Sequence, residues 1–318
     1  MRILITGGAG FIGSNLAEKL LADEKVSFVR VLDNLATGSL KNMSSFSSHP
    51  KFEFIEGDIR NFDTCIAACE NINAITHQAA LGSVPRSIID PLTTNEVNIT
   101  GTLNIFSAAK EKNIQRIVYA ASSSTYGDHP ALPKVEDKIG NPLSPYAVTK
   151  YVNELYAKVY ASLYNMQFIG LRYFNIFGPR QNPQGPYAAV IPLFIKAIIE
   201  NIPPVINGDG SHSRDFTFVA NAVQANITAL FTDKEDAVNQ VYNIACGEQT
   251  SLLQLFDALK QEASSVLMPK HGPDRAGDVK HSLADVSKAV TLLGYQPDIS
   301  VKEGLKKTWE WYKKEGMV

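Results

Sequence analysis

Tyr146 and Lys150 stand four residues apart in Ser144-Pro145-Tyr146-Ala147-Val148-Thr149-Lys150, a spacing that puts both side chains on one face of a helix. An ammonium beside a phenol favours the phenolate, and a phenolate is a general base for a hydroxyl proton. Pro145 suits the first turn of such a helix. Taken alone, the pair reads first as an ordinary exposed helix face. A second feature raises its weight: Ser122, Ser123 and Ser124 directly follow the apolar run 117–120, which sets three hydroxyls at the carboxyl end of a strand, within reach of a reacting hydroxyl.

A third feature lies at the start of the chain. Ile3-Leu4-Ile5-Thr6-Gly7-Gly8-Ala9-Gly10-Phe11-Ile12-Gly13 reads as strand, glycine turn and helix. Gly7, Gly10 and Gly13 allow a tight turn and a close approach of backbone N–H groups to a pyrophosphate at the positive end of a helix. Asp33 follows Gly13 by 20 residues at the end of the next strand, placed to accept hydrogen bonds from an adenosine ribose and to repel a 2′-phosphate. NAD is therefore favoured over NADP, with nearby Arg30 as the argument for the phosphorylated cofactor. Asp58 and Ile59 follow a third strand and Gln78, Ala79 and Ala80 a fourth, where strand-end packing and ligand contact are both plausible uses.

These residues need elements to hold them. Short apolar runs at 2–6, 28–32, 52–56, 74–77, 117–120 and 168–171 alternate with amphipathic stretches at 11–21, 64–68, 98–110, 146–164 and 193–200. That alternation predicts an α/β fold with a doubly wound parallel sheet of Rossmann type. The Pro- and Gly-rich segment after Asn175 marks a boundary. Residues 1–175 are expected to form the NAD-binding domain and 176–318 mainly a smaller, interleaved substrate domain. Part of 215–247, including the apolar stretch 241–245, is expected to rejoin the sheet.

The 318 residues are 45% hydrophobic and carry 30 Lys and Arg against 32 Asp and Glu. A formal charge of -2 without a basic block gives nucleic acid nothing to bind non-specifically. The start of the chain lacks a signal-peptide pattern and no apolar run is long enough to span a bilayer, so a cytoplasmic protein without membrane segments is expected. Cys65, Cys69 and Cys246 lack metal-ligand spacing, as do His77 and His212, and no metal is expected. Trp309 and Trp311 read as C-terminal packing.

With these motifs in order, the chain resembles the extended short-chain dehydrogenase/reductase family, and within it the bacterial UDP-N-acetylglucosamine 4-epimerases. The resemblance runs along nearly the whole chain. It is carried by the glycine loop, Asp33-Asn34, Gly57-Asp58, the three serines, Tyr146 with Lys150, and Leu171-Arg172-Tyr173-Phe174-Asn175. Arg214-Asp215-Phe216 and Arg275-Ala276-Gly277-Asp278 extend it. It implies that Tyr146 is the base, that Lys150 binds the nicotinamide ribose, and that Ser122 assists proton transfer while Ser123 and Ser124 contact sugar or cofactor. Asn34, Asn98 and Tyr173 join the cofactor site by the same resemblance. Gly82, Ser83, Ala189, Val190, Val205 and Asn207 join the substrate site, with Asn175, Arg214, Arg275 and Asp278 around UDP.

The resemblance also implies a homodimer and a reaction. NAD oxidises the sugar at carbon 4, the 4-keto sugar rotates, and reduction from the other face inverts the alcohol. Related 4,6-dehydratases carry an acidic pair where this chain has Ser123 and Ser124. Epimerases restricted to unacetylated sugars carry a tyrosine at the position of Ser282, so a small Ser282, with small Gly82 and Ala189, implies room for an acetamido group. The alternatives are a 4-epimerase of UDP-glucose or UDP-hexuronates, and a non-catalytic NAD-binding regulator.

Overall fold

The computed structural model describes residues 1–184, 188–273 and 280–315. Seven strands form one parallel sheet: β1 (Arg2–Thr6), β2 (Phe28–Asp33), β3 (Phe52–Glu56), β4 (Ala74–His77), β5 (Arg116–Ser122), β6 (Gln167–Tyr173) and β7 (Gln240–Ile244). Their spatial order is β7-β6-β5-β4-β1-β2-β3, with every neighbouring pair parallel. The doubly wound parallel sheet read from the sequence is the architecture found. The chain winds outward from β1 through β2 to β3 and then returns to place β4 on the other side of β1. This reversal opens a crevice at the carboxyl ends of β1 and β4, where ligands of such sheets bind.

The strands are apolar on both faces because both faces are covered. Along β1, Ile3 and Ile5 enter one core with the helices Phe11–Leu21 and Val219–Phe231. Leu4, between them, enters the other core with Phe62–Ala68 and Thr102–Glu111. The period of two thus assigns alternate residues to opposite layers.

Element boundaries differ from the sequence reading where polar side chains intervene. The helix Phe62–Ala68 starts two residues before the expected 64–68, because the Asn61 side chain caps it by accepting from Thr64 N–H. Val190–Ile199 starts earlier than 193 because Pro192 sits in the first turn, where its missing N–H costs nothing. The expected helix 98–110 is two pieces, a π-helical segment Glu96–Gly101 and the α-helix Thr102–Glu111. In the π segment the buried Asn98 side chain bonds outside its helix, accepting from Leu81 N–H at 2.8 Å and donating to the Leu81 carbonyl and to Thr149.

Beyond Asn175, helices and β7 are joined by short strand pairs of two or three residues. Ile176–Phe177 pairs with Thr217–Phe218 and Ser213–Arg214 with Thr250–Ser251. The strand Val205–Asn207 pairs with Lys270–Gly272. No helix among the described residues is long and apolar enough to cross a membrane.

Candidate active site

The loop between β1 and the helix Phe11–Leu21 forms the first wall of the crevice. Gly7 has φ +70°, and a Cβ there would lie 2.6 Å from Ala79 N. A Cβ on Gly13 would lie 2.3 Å from the Gly7 carbonyl oxygen. No side chain caps the helix, whose N-cap is Gly10, so its first N–H groups face the crevice without a protein side-chain acceptor. Such a cradle fits a dinucleotide pyrophosphate.

Asp33, at the end of β2, accepts from Ala9 N–H at 2.9 Å and Leu35 N–H at 2.8 Å, tying its carboxylate to the glycine loop. Burial pushes its pKa up, and those two bonds oppose the rise. Arg30, which kept NADP in play, is committed elsewhere: it pairs with Glu53 and donates to the carbonyls of Ala68 and Glu70. Asp58 is hydrogen-bonded by Arg60 and Asn34, and Arg60 above all holds its carboxyl down at about 2.

A cavity of about 590 Å³ runs along these strand ends. Gly7, Gly10, Phe11, Ile12, Gly13, Asp33 and Asn34 line one end. Asp58, Ile59, Gln78, Ala79 and Ala80 continue the wall, which ends at Ser122, Ser123, Tyr146, Lys150 and Tyr173. Two expected members stand off it: Asn98 is fully buried behind Leu81, and Ser124 is not among the lining residues. Arg60, Thr93 and Val97 line the cavity without having been read from the sequence. For Arg60, its place two residues after Asp58 was the available signal.

Tyr146 and Lys150 lie on the helix Pro145–Tyr164, which Ser144 caps by accepting from Ala147 N–H and which carries Pro145 in its first turn. Lys150 is 3% exposed and donates to the Ala120 carbonyl at 2.8 Å, and burial lowers its ammonium to about 8. Burial also raises the Tyr146 phenol, opposed by the neighbouring Ser122 hydroxyl. Within the chain alone, desolvation therefore outweighs the help that Lys150 was expected to give the phenolate. Ser122 Oγ accepts from both the N–H and the hydroxyl of Ser124, at 3.1 and 2.8 Å, which leaves its own proton to donate towards Tyr146 or a ligand. His77, beneath, bonds Thr6 and Thr102, and burial, then the charge of Lys150, drops its pKa to about 3, so it is neutral packing. Among the described residues no group of acidic, His and Cys side chains is arranged to hold a metal.

A second cavity, of about 930 Å³, adjoins the first and shares Gly82, Ser83, Asn175 and Ile176 with it. Ala189, Val190, Val205, Asn207 and Arg214 line it, as do Phe194, Phe216 and Leu252, which the sequence reading did not single out. Phe216 lies in the Arg214-Asp215-Phe216 motif and was within reach; the other two sit in apolar runs without a signal. Ser282 lines neither cavity, but its N–H bonds the Ser213 carbonyl at 3.1 Å, across from the strand that carries Arg214. Arg275 and Asp278 lie outside the described residues.

With this geometry, a match to the NAD dependent epimerase/dehydratase family extends over residues 3–245. The chain belongs to that family. The cofactor is accordingly NAD, which the cradle and Asp33 fit. A relative from Methanocaldococcus jannaschii named as a putative UDP-glucose 4-epimerase is 39% identical over 98% of both chains. A solved UDP-N-acetylglucosamine 4-epimerase from Methanobrevibacter ruminantium, bound to UDP-N-acetylmuramic acid, shares 37% identity with a TM-score of 0.93 over 99% of this chain and 98% of that one. A Bacillus cereus UDP-glucuronic acid 4-epimerase, solved with UDP-glucuronic acid and NAD, shares 32% with a TM-score of 0.92 over 99% and 100%.

Proposed function

We propose that the protein is a UDP-sugar 4-epimerase that interconverts UDP-N-acetylglucosamine and UDP-N-acetylgalactosamine through a transient 4-keto sugar. The observation that carries this reading is the shared wall of the two cavities. Through it the Ser122, Tyr146 and Lys150 face opens directly onto the space flanked by Asn175 and Arg214. The high similarity to 4-epimerases along the full chain supports the reaction type.

In this reading the Phe11, Ile12 and Gly13 N–H groups hold the NAD pyrophosphate, Asp33 and Asn34 its adenosine ribose, and Asp58 and Ile59 the adenine side. Gln78, Ala79, Ala80 and Tyr173 line its path, Asn98 fixes the loop at Leu81, and Lys150 binds the second ribose. When bound, NAD supplies the reversible oxidation at sugar carbon 4. Tyr146 takes the proton of the 4-hydroxyl and later returns it, with Ser122 bridging the two oxygens. The positive charges of Lys150 and the bound dinucleotide offset the burial that raises the Tyr146 phenol.

Arg214 and Arg275 suit the paired diphosphate oxygens, and Asn175 and Asp278 the uridine side. Ala189, Val190, Val205 and Asn207 line the nucleotide pocket. Gly82, Ser83, Ser123 and Ser124 leave the hexose loosely held, as its rotation requires, and the two serines lack the acid and base that dehydration needs. The small Ser282 beside Arg214 is our argument for an acetylated sugar. We assign 1–175 to cofactor binding and 176–318 mainly to substrate binding, with the strand Gln240–Ile244 joining the first. We place the homodimer contact on the apolar stripe Val148, Leu155, Val159 and Leu163, next to exposed Ile88 and Leu92, where a second copy offers the same surface.

The plain UDP-glucose reading is favoured by the name of the Methanocaldococcus relative. One experiment separates the two: purified protein is incubated with UDP-N-acetylglucosamine or UDP-glucose without added NAD, and the 4-epimers are resolved by chromatography. Faster conversion of the acetylated sugar is expected. Conversion of UDP-glucose alone would remove the argument from Ser282, and no conversion of either, even with added NAD, would remove both hexose readings and leave a UDP-hexuronate or a non-catalytic role.

A further inference from the structure

Beneath the cofactor cavity lies a closed ring of three side chains from three distant parts of the chain. Gln78 Nε2 donates to Asn226 Oδ1 at 3.0 Å, Asn226 Nδ2 donates to the Tyr173 hydroxyl at 2.7 Å, and Tyr173 donates to Gln78 Oε1 at 3.1 Å. Thr76 sits inside, accepting from Gln78 at 2.9 Å and donating to Asn226 at 3.1 Å. One contact fixes every orientation. Asn226 Nδ2 also meets the Ala222 carbonyl at 2.8 Å, a group that only accepts, so Oδ1 must face Gln78. Gln78 must then turn its N–H₂ inward, and its oxygen is left for the Tyr173 proton.

Gln78 and Tyr173 line the cofactor cavity, whereas Asn226 is fully buried on the helix Val219–Phe231 and touches neither cavity. Tyr173 pairs with Ser122 in the β5–β6 register, so the ring adjoins the end of the cavity where Ser122, Tyr146 and Lys150 converge. It also separates the roles of two tyrosines. The Tyr173 oxygen accepts one bond, its proton is directed into another, and burial lifts its pKa to about 12. Tyr173 is thus held neutral as a shaped wall, and Tyr146 is left to exchange protons.

We propose that Asn226 is a positioning residue of the cofactor site: by closing the ring with Gln78 and Tyr173 it fixes the cavity wall beside Ser122 and thereby sets how tightly NAD is held. The inference rests on the cofactor reading of the cavity. A fully satisfied buried ring rigidifies its members, and opening it leaves buried polar groups unpaired.

The test compares wild type, Asn226→Leu and Asn226→Asp. The aspartate keeps the volume and the two acceptor contacts but loses the N–H bonds to Tyr173 and Ala222. The NAD retained on purification and its dissociation rate, read by cofactor fluorescence or absorbance, are measured beside the sugar-nucleotide KM at saturating NAD. For Asn226→Leu we expect NAD dissociation to accelerate about tenfold, the equivalent of one or two lost buried hydrogen bonds, and for Asn226→Asp by less. The sugar-nucleotide KM should stay within about twofold, since a role confined to the cofactor wall leaves uniform sugar binding intact. Adding Tyr173→Phe to Asn226→Leu should bring little further change, because both open the same ring. If Asn226→Leu does not fold, the aspartate variant carries the test. A lowered Tm with unchanged NAD dissociation, or a parallel loss of NAD and sugar affinity, would overturn the proposal as a merely structural effect. A wild-type protein that binds no NAD would instead overturn the cofactor reading itself.

Discussion

The two cavities meet at four residues but are built in different ways. The cofactor cavity lies on the ends of consecutive parallel strands: its glycine loop and Gln78 directly follow β1 and β4, Asp33 ends β2, and Asp58 lies two residues beyond β3. The adjoining cavity combines the helix Val190–Ile199 with two- and three-residue strands and loop crossings, and Asp215, between its lining residues Arg214 and Phe216, ties the loops together. The buried carboxylate of Asp215 accepts from Cys246, Gly247 and Ala284 N–H, holding three separate stretches together. Regular elements fix a cofactor that is the same in every turnover. In our proposal the second cavity takes the sugar nucleotide, and the solved relatives hold different ones, UDP-N-acetylmuramic acid in one and UDP-glucuronic acid in another.

The largest expected effect lies where the two regions join. Tyr146→Phe should lower epimerisation by about a thousandfold, the scale of a lost general base, while NAD is retained; normal turnover would remove Tyr146 from the chemistry. Gly13→Ala strikes the cofactor side alone. Its Cβ would meet the Gly7 carbonyl at 2.3 Å, and overpacking of that kind costs about 1–3 kcal/mol, to be read in Tm and NAD affinity. Gly82→Ala is its control, since a Cβ there meets nothing within 4 Å, and Tm should not move.

Ser282→Tyr addresses the second region. It should reduce kcat/KM for the acetylated sugar about tenfold or more relative to UDP-glucose, and equal effects on both would break the pocket argument. The last effect concerns Asp215. Burial raises its pKa from 3.8 to about 6, against the three backbone bonds that lower it. The folded state thus binds its proton more tightly than the unfolded state, so its contribution favours folding most at low pH and declines as pH rises from about 4 to about 6. Asp215→Asn should flatten that part of the pH–stability curve, measured by denaturant unfolding; an unchanged slope would show that Asp215 ionises without cost.

The same contrast explains what the sequence disclosed. The run 2–6 coincides with β1 because Ile3, Leu4 and Ile5 form an unbroken apolar run closed by the glycine turn, whereas β5 and β6 run on to Ser122 and Tyr173, polar or amphipathic residues that the apolar criterion trimmed. The helix expected from 98 begins inside the π-helical segment Glu96–Gly101, where Asn98 bonds Leu81, a contact invisible to periodicity. In the second cavity only the helix Val190–Ile199 has a periodic signature, the amphipathic stretch 193–200; Ile176–Phe177 and Ser213–Arg214 are too short to show one, so Asn175, Val205, Asn207 and Arg214 were reached through family resemblance. Asn226 escaped both routes. It shares its helix with Asn221, Gln224 and Thr228, so its residue type does not set it apart, and its partner Gln78 is 148 residues earlier in the chain, a separation that only the folded sheet closes.

The central claim is that the sugar is oxidised and re-reduced at carbon 4 inside one closed site, with Tyr146 moving the hydroxyl proton. The most direct measurement follows UDP-N-acetylglucosamine carrying deuterium at carbon 4 through epimerisation in ordinary water, with the product read by mass spectrometry and NMR. The account predicts that the 4-epimer keeps its deuterium at carbon 4 and releases none to solvent. Loss of the label to water would contradict it, because the hydrogen would then have left carbon 4 as a proton.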